Sequence, residues 1–332
     1  MPYKYKHTIK FRNHNEWIPK EIYTLIPRVS EVINTLTCEY PAWQNDVNRI
    51  KRGEEPLEIQ GGNYAALRGT LTHYDIQLLI DAELDVDTDP LELSPVENNL
   101  LIKQKEQGTL EELYDDVARG VDMWKKWYEM WQPVPIVSEQ EIVHIKYDEQ
   151  GNVDPTQSLK GTVDFVGEIH LDEINKIAYR EITEYSKKHD YEIINDKFTA
   201  MIDWKSGKDA WKVHQLQLTG YDYLLNDSGW WELAEKTGLI KHPPFMRGLY
   251  GFENKYGMCV KTGARKPLTT FYDVGEHAEF FRAWDAFNNA KATTWSDTQG
   301  KSTGMKTMCM FCEYRQHGCP LFDFSIKGEI QL

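Results

Sequence analysis

Four runs of strand-forming residues follow one another between Ile136 and Lys205, each closed by turn residues, and a helical pattern starts soon after the last. The runs are Ile136–Tyr147, Leu159–His170, Lys176–Glu184 and Phe198–Lys205, with Asn152 and Leu171–Asn175 supplying turns between them. Strands this close in sequence pair most simply with one another, and their apolar residues then need helices to cover them. Helices predicted over Lys208–Asn226 and Val274–Lys291 supply covers, and strands at Phe245–Phe252 and Leu268–Tyr272 extend the sheet. The pattern predicts an α/β fold: a mixed central sheet flanked by helices.

The residues before Pro135 read differently. Arg28–Cys38 and Ala42–Arg52 have the pattern of short helices, and Asn63–Ile80 that of a longer one carrying His73. Asp81–Asn99 is acidic and holds two prolines, which predicts a solvated loop. Thr109 and Glu112 have the spacing of a capping box ahead of a long helix. In that helix Leu110, Leu113, Tyr114, Val117, Val121, Trp124, Tyr128 and Trp131 recur at helical spacing. The stripe reads as a core-facing surface rather than a platform for stacking bases.

At 332 residues the chain can hold one large domain or two ordinary ones. Its 41% hydrophobic and 12% aromatic content, with 11 Trp, belongs to a folded protein. No segment approaches the ~20 apolar residues that span a bilayer. The polar start Met1–Lys6 has no signal-peptide core, so the expectation is a soluble, cytoplasmic protein without a membrane partner. The net charge of −14 argues against a general polyanion-binding surface. The acid is concentrated in 81–97 and 111–116, however, while basic residues gather at Lys187-Lys188, Lys205/Lys208/Lys212, Arg265-Lys266 and Lys301/Lys306/Arg315. Local patches of that kind leave DNA open as a partner.

Four short segments carry the chemistry: Gly69-Thr70-Leu71-Thr72-His73, Gly161-Thr162-Val163-Asp164, Ile202-Asp203-Trp204-Lys205 and Gln217-Leu218-Thr219-Gly220-Tyr221. Alternation along Phe198–Lys205 puts Met201, Asp203 and Lys205 on one face of a strand. Asp164, in the preceding hairpin, can bring a second carboxylate to that face. Carboxylate oxygens suit Mg²⁺ or Mn²⁺, and a nitrogen from His73 tilts the preference toward Mn²⁺. Gln217 and Tyr221 lie four apart and share a helix face. A lone Asp-x-Lys is usually a salt bridge or a solvated pair, and a lone helical His is usually neither ligand nor base. The order and context of all four segments together give them weight.

That order resembles the RecB-like branch of the PD-(D/E)XK nucleases, in which a helical His, a GxxD strand, a D/E-x-K strand and a QxxxY helix follow one another. The resemblance implies a restriction-endonuclease-like core that hydrolyses phosphodiester bonds with a divalent metal. It implies metal ligation by His73, Asp164, Asp203 and the backbone carbonyl of Trp204. Catalysis would fall to Asp164, Asp203 and Lys205, and substrate binding to Gln217 and Tyr221. Residues 80–135 and 226–300 fall outside the likeness.

Five cysteines occur. Cys38 with the tight group Cys309-x-x-Cys312 and Cys319 is similar to the set in iron–sulfur members, such as the AddB-type and CRISPR-associated exonucleases. Four thiolates suit a [4Fe–4S] cluster, and zinc would accept the same ligands, with His317 inside the triplet. Cys259 reads as a free thiol in a loop or strand. The cluster is expected to act as a structural staple between N-terminal helices and core. Gly300-Lys301-Ser302-Thr303 looks like the end of a phosphate-binding loop, but Trp295 stands where its first glycine belongs.

The resulting expectation is one nuclease domain over residues 1–332. It comprises N-terminal helices (28–80), an acidic loop with a helical insertion (81–134), a catalytic core (135–226), further strands and helices (227–300) and a cysteine segment (301–332). Its activity would be that of a DNA exonuclease on single strands or ends, in recombination, replication or repair. The alternatives are a flap or branch endonuclease and a non-cutting nucleic-acid adaptor. A homo-oligomer, a recombination partner protein and a viral origin are all compatible with the sequence.

Overall fold

The computed structural model describes residues 20–23, 25–34, 64–85, 87–170, 180, 184, 197–205, 212–230, 256–261, 268–273 and 277–292. The helices are α1 (Lys20–Tyr23), α2 (Val29–Asn34), α3 (Tyr64–Leu84), α4 (Pro95–Gln107), α5 (Leu110–Trp131), α6 (Lys212–Asp227) and α7 (Ala278–Ala292). The strands are β1 (Val134–His144), β2 (Leu159–His170), β3 (Lys197–Lys205), β4 (Tyr256–Lys261) and β5 (Leu268–Asp273). They form one mixed sheet in the order β1-β2-β3-β4-β5. The first three strands are an antiparallel meander, β4 runs parallel to β3, and β5 returns antiparallel to β4. β3 is therefore central, and the chain crosses from it to β4 by way of α6, as a parallel pair requires.

Alternation along β3 divides the core. Ala200, Ile202 and Trp204 turn to one face, where they meet Leu67, Ile76 and Ile80 of α3 and Leu113, Val117, Trp124, Trp127 and Trp131 of α5. Met201 turns to the other, where α2, α6 and α7 bring Val29, Val32, Leu218, Leu224, Phe280 and Phe287. The result is a three-layer α/β/α sandwich. Three ties fasten α3 to α5 beyond their apolar seam. The Tyr64 hydroxyl donates to Asp116 at 3.0 Å, Arg68 pairs with Asp116 at 3.7 Å, and the Tyr128 hydroxyl donates to Glu83 at 2.7 Å. Among the described residues no helix is long and apolar enough to cross a membrane.

Several sequence expectations change here. The acidic stretch 81–99 is not one loop: α3 runs on to Leu84, and α4 begins at Pro95. Asp81 is buried in the last turn of α3, and hydrogen bonds from Thr88 and Gln77 hold its carboxylate. Pro95 opens α4 because a helix's first residue has no use for its N–H. The capping box is formed by Ser94 and Glu97, not by Thr109 and Glu112. Thr109 has φ −105° and ψ 10°, away from the extended conformation a cap needs, and its hydroxyl donates to Gln104 Oε1 at 2.6 Å. In α5, Trp127 is fully buried while Tyr114 stands half exposed, so the stripe faces the core with one member exchanged.

The strand predicted over Lys176–Glu184 is described only at Arg180 and Glu184, and both are helical. Ala178, Ile182 and Tyr185 also sit at helical spacing, which competes with the strand pattern. β4 is a strand that the sequence reading did not delimit, and it carries Cys259. The helix predicted over 42–52 and the strand over 245–252 lie outside the described residues.

Candidate metal centre

β2 and β3 pair from His170↔Lys197 to Phe165↔Ile202, where the ladder ends. Further along β2 the N-terminal segment fills the space: Lys160 N donates to Pro27 O at 2.9 Å, and Arg28 forms a parallel bridge with Lys160. The two strands thus fork just before Trp204. A strand residue that loses its neighbour leaves an N–H and a C=O to be satisfied. At Trp204 both go to side chains: its N–H donates to Asp164 Oδ2 at 2.8 Å, and its carbonyl accepts from His73 Nε2 at 3.0 Å. The fork turns backbone vacancies into anchors for an Asp and a His.

The other ring nitrogen of His73 lies 3.2 Å from Glu139 Oε1 and 3.5 Å from Asp164 Oδ2. Register places Glu139 across from Asp164, since its neighbours pair as Ser138↔Phe165 and Gln140↔Val163. Ligand atoms of His73, Glu139 and Asp164 all lie within 4.8 Å of one another. Glu139 was not singled out from the sequence. It stands among Ser138, Gln140 and Glu141, and alternation alone reads such a run as a solvated strand face. Its backbone has φ 45°, in the left-handed region that a non-glycine residue seldom occupies, and no local sequence signal announces this.

Asp203 is completely buried on the face of β3 shared with Met201 and Lys205. The Lys205 ammonium pairs with both of its oxygens, 2.8 Å from Oδ1 and 2.7 Å from Oδ2. Burial lifts the Asp203 carboxyl, Lys205 pulls it down and Asp164 adds to the rise, leaving it at about 6. Burial also raises Asp164, against the pull of His73. At His73 burial disfavours the charged ring, but Asp164 and then Glu139 outweigh it and raise the imidazole to about 9.

From α6, Gln217 Nε2 donates to the Tyr221 hydroxyl at 2.7 Å. Tyr221 is buried, and burial followed by Asp164 and Asp203 pushes its hydroxyl well above the usual phenol range. Its ring lies on Gly161: a Cβ there would sit 2.9 Å from Tyr221 Cε1 and 3.1 Å from Leu224 Cδ1. The glycine of GxxD therefore makes room for the tyrosine of QxxxY.

His73, Asp164 and the run Asp203-Trp204-Lys205, three separate segments of the sequence, thus meet at the fork, with Gln217 and Tyr221 beside them. The tightest donor group includes Glu139 in place of Asp203. Cys38, Cys309, Cys312 and Cys319 lie outside the described residues, so no geometry bears on the cluster or its zinc alternative.

The donor set fits a divalent cation. Three carboxylates (Glu139, Asp164, Asp203) face two cationic side chains (His73, Lys205). Both nitrogens of His73 face acceptors, which a ring can serve together only when doubly protonated. A divalent ion among Glu139 and Asp164 would replace that charge and take the neutral ring as a nitrogen ligand. Oxygens with one imidazole suit Mn²⁺ or Mg²⁺ rather than a soft metal. In comparison with known proteins, no family model and no curated sequence matches the chain.

Proposed function

We propose that the chain is a metal-dependent nuclease of the RecB-like PD-(D/E)XK kind, hydrolysing DNA from single strands or ends. One observation carries the reading: the GxxD and D-x-K carboxylates converge with Lys205 and a helical His at a fork between two antiparallel strands. The antiparallel meander with a parallel fourth strand, covered by helices on both faces, fits the restriction-endonuclease-like core of that family.

A bound Mg²⁺ or Mn²⁺ would polarise the phosphate and lower the pKa of a water. His73 Nδ1, Asp164 and Glu139 would hold the ion, and the Trp204 carbonyl, which accepts from Nε2 on the opposite edge of the ring, would join them only after the ring turns. Lys205 then orients the attacking water and offsets charge on the phosphate in the transition state. Asp203 keeps the ammonium in place through its Oδ1 contact. The [4Fe–4S] cluster on Cys38, Cys309, Cys312 and Cys319, with zinc as its competitor, belongs to the same proposal.

The test is digestion of end-labelled linear DNA and of closed circular DNA with Mn²⁺, Mg²⁺ or EDTA. Metal-dependent loss of the linear substrate alone supports an exonuclease. Nicking of the circle indicates an endonuclease, and binding without cutting indicates an adaptor.

A further inference from the structure

Tyr221 has been grouped with Gln217 as a substrate-binding residue, yet the residue is only 5% exposed, too little to meet a nucleic acid directly. Its surroundings suggest another task. The ring is lodged against Gly161, and Leu224 and Val29 would also crowd a Cβ at that glycine, at 3.1 and 3.2 Å. An alanine there would displace at least one of three well-packed side chains, and none is a flexible surface tail. The ring's position fixes its hydroxyl, and the hydroxyl accepts from Gln217 Nε2 at 2.7 Å. Gln217, one turn earlier on α6, remains partly exposed. With one amide hydrogen committed to Tyr221, Gln217 keeps its carbonyl oxygen and a second N–H for a ligand.

We propose that Gly161, Tyr221 and Gln217 form one positioning unit, in which the glycine seats the tyrosine, the tyrosine orients the amide, and only Gln217 meets the nucleic acid. This rests on the nuclease reading. It ties the GxxD strand to the QxxxY helix by a steric contact, independently of Asp164, and a hydrogen bond within the helix carries that contact on to Gln217. The protonated hydroxyl expected beside two carboxylates supports the arrangement, because a phenolate could not share its place with them.

The test uses full-length protein carrying Tyr221→Phe, Gln217→Ala, both together, and Gly161→Ala. Three quantities are measured: steady-state cleavage of single-stranded DNA, Mn²⁺ affinity by electron paramagnetic resonance, and thermal midpoint. Tyr221→Phe keeps the ring and removes only the acceptor, so a residue that merely packs would tolerate it. The expected result is a KM raised about fivefold, the loss of one neutral hydrogen bond, with kcat less affected and Mn²⁺ affinity unchanged. Gln217→Ala, which removes the contact with nucleic acid itself, should raise KM at least as far. The double variant should be no worse than Gln217→Ala alone, since without the amide the hydroxyl has nothing to orient. Gly161→Ala should raise KM at least as far. If it fails to fold, the Phe and Ala pair still decides the matter. A Tyr221→Phe enzyme with wild-type KM, or a double variant whose losses multiply, overturns the proposal while leaving a working nuclease. A wild-type protein that cuts no nucleic acid under any metal overturns the reading of function itself, and this proposal with it.

Discussion

The two helical layers of the sandwich do different work. On one face, α3 and α5 close over Phe165, Ala200, Ile202 and Trp204 with a seam of aromatic rings: Trp127 meets Trp204 edge-on at 5.3 Å and lies against Trp131 at 5.8 Å. On the other, α6 buries polar groups as well. Asp222 is held by His277 at 2.8 Å and by Asn226 at 3.0 Å, and Thr219 and Tyr221 are buried nearby. Apolar packing yields stability without needing partners, whereas each buried polar group must be matched. Apart from Thr72 and Asp81 on α3, the α5 face therefore works as ballast, while the α6 face and the fork hold most of the buried polar groups. His73 is the exception that joins them: it rises from the ballast layer to reach the fork.

That contrast can be broken by experiment. The largest effect is expected at the fork. Asp203→Ala or Lys205→Ala should lower kcat on the order of 10³-fold while the thermal midpoint stays close to wild type. Near-native cleavage by either variant would remove the site assignment. On the ballast face the opposite should hold. Trp127→Ala should cost roughly 3 to 4 kcal/mol in urea unfolding, yet the fraction that remains folded should keep its Mn²⁺ affinity. Loss of metal binding by still-folded Trp127→Ala protein would erase the division between layers.

The third test uses pH. Burial puts Asp222 at about 6 in the fold against an ordinary 3.8, so the folded chain holds its proton more tightly than the unfolded chain does. Stability from this group is therefore lost as pH rises from about 4 to 6, and the penalty is complete above that. Asp222→Asn should gain on wild type by about 2 kcal/mol across that window. The reading is the difference between the two proteins, because Asp81 and Asp203 shift the same way. A difference that does not vary with pH would mean Asp222 is ionised as freely as in water.

A smaller effect is expected from Glu139→Gln: about 10-fold weaker Mn²⁺ binding by titration, with the fold intact. Unchanged affinity would return Glu139 to a mere hydrogen-bond acceptor for His73. The smallest concerns Cys38→Ser. Val29, Val32 and Ile33 of α2 are buried among α6, α7 and the sheet, so α2 has its own hold on the core. The brown colour and iron of the proposed cluster should be lost, while hydrogen exchange in α2 stays protected. Rapid exchange there would show that the cluster, not the packing, holds this helix.

What was legible in the sequence depended on how local its cause was. β2 was read with its observed bounds and β3 within one residue, because alternation and flanking turn residues act over a few positions. The α5 stripe was legible for the same reason, although a period of 3.6 slid burial from Tyr114 to Trp127. Composition misled at 81–99, where acidic residues suggested solvent but Ser94 and Glu97 cap a helix. In the site, the D-x-K alternation is local, and so Asp203 and Lys205 could be placed. Glu139 could not, because its place depends on strand register and on a backbone angle set by distant contacts. The fork was equally hidden: only the docked segment at Pro27 and Arg28 shows why β2 and β3 part.

The left-handed backbone at Glu139 has a consequence for how this position would drift. Holding a side chain there costs about 1–2 kcal/mol that glycine would not incur. A library screened for heat tolerance alone should therefore enrich glycine at 139, and one screened for metal-dependent cleavage should restore the carboxylate. Under the proposed nuclease reading, position 139 is thus a point where selection for durability and selection for chemistry pull the same codon in opposite directions.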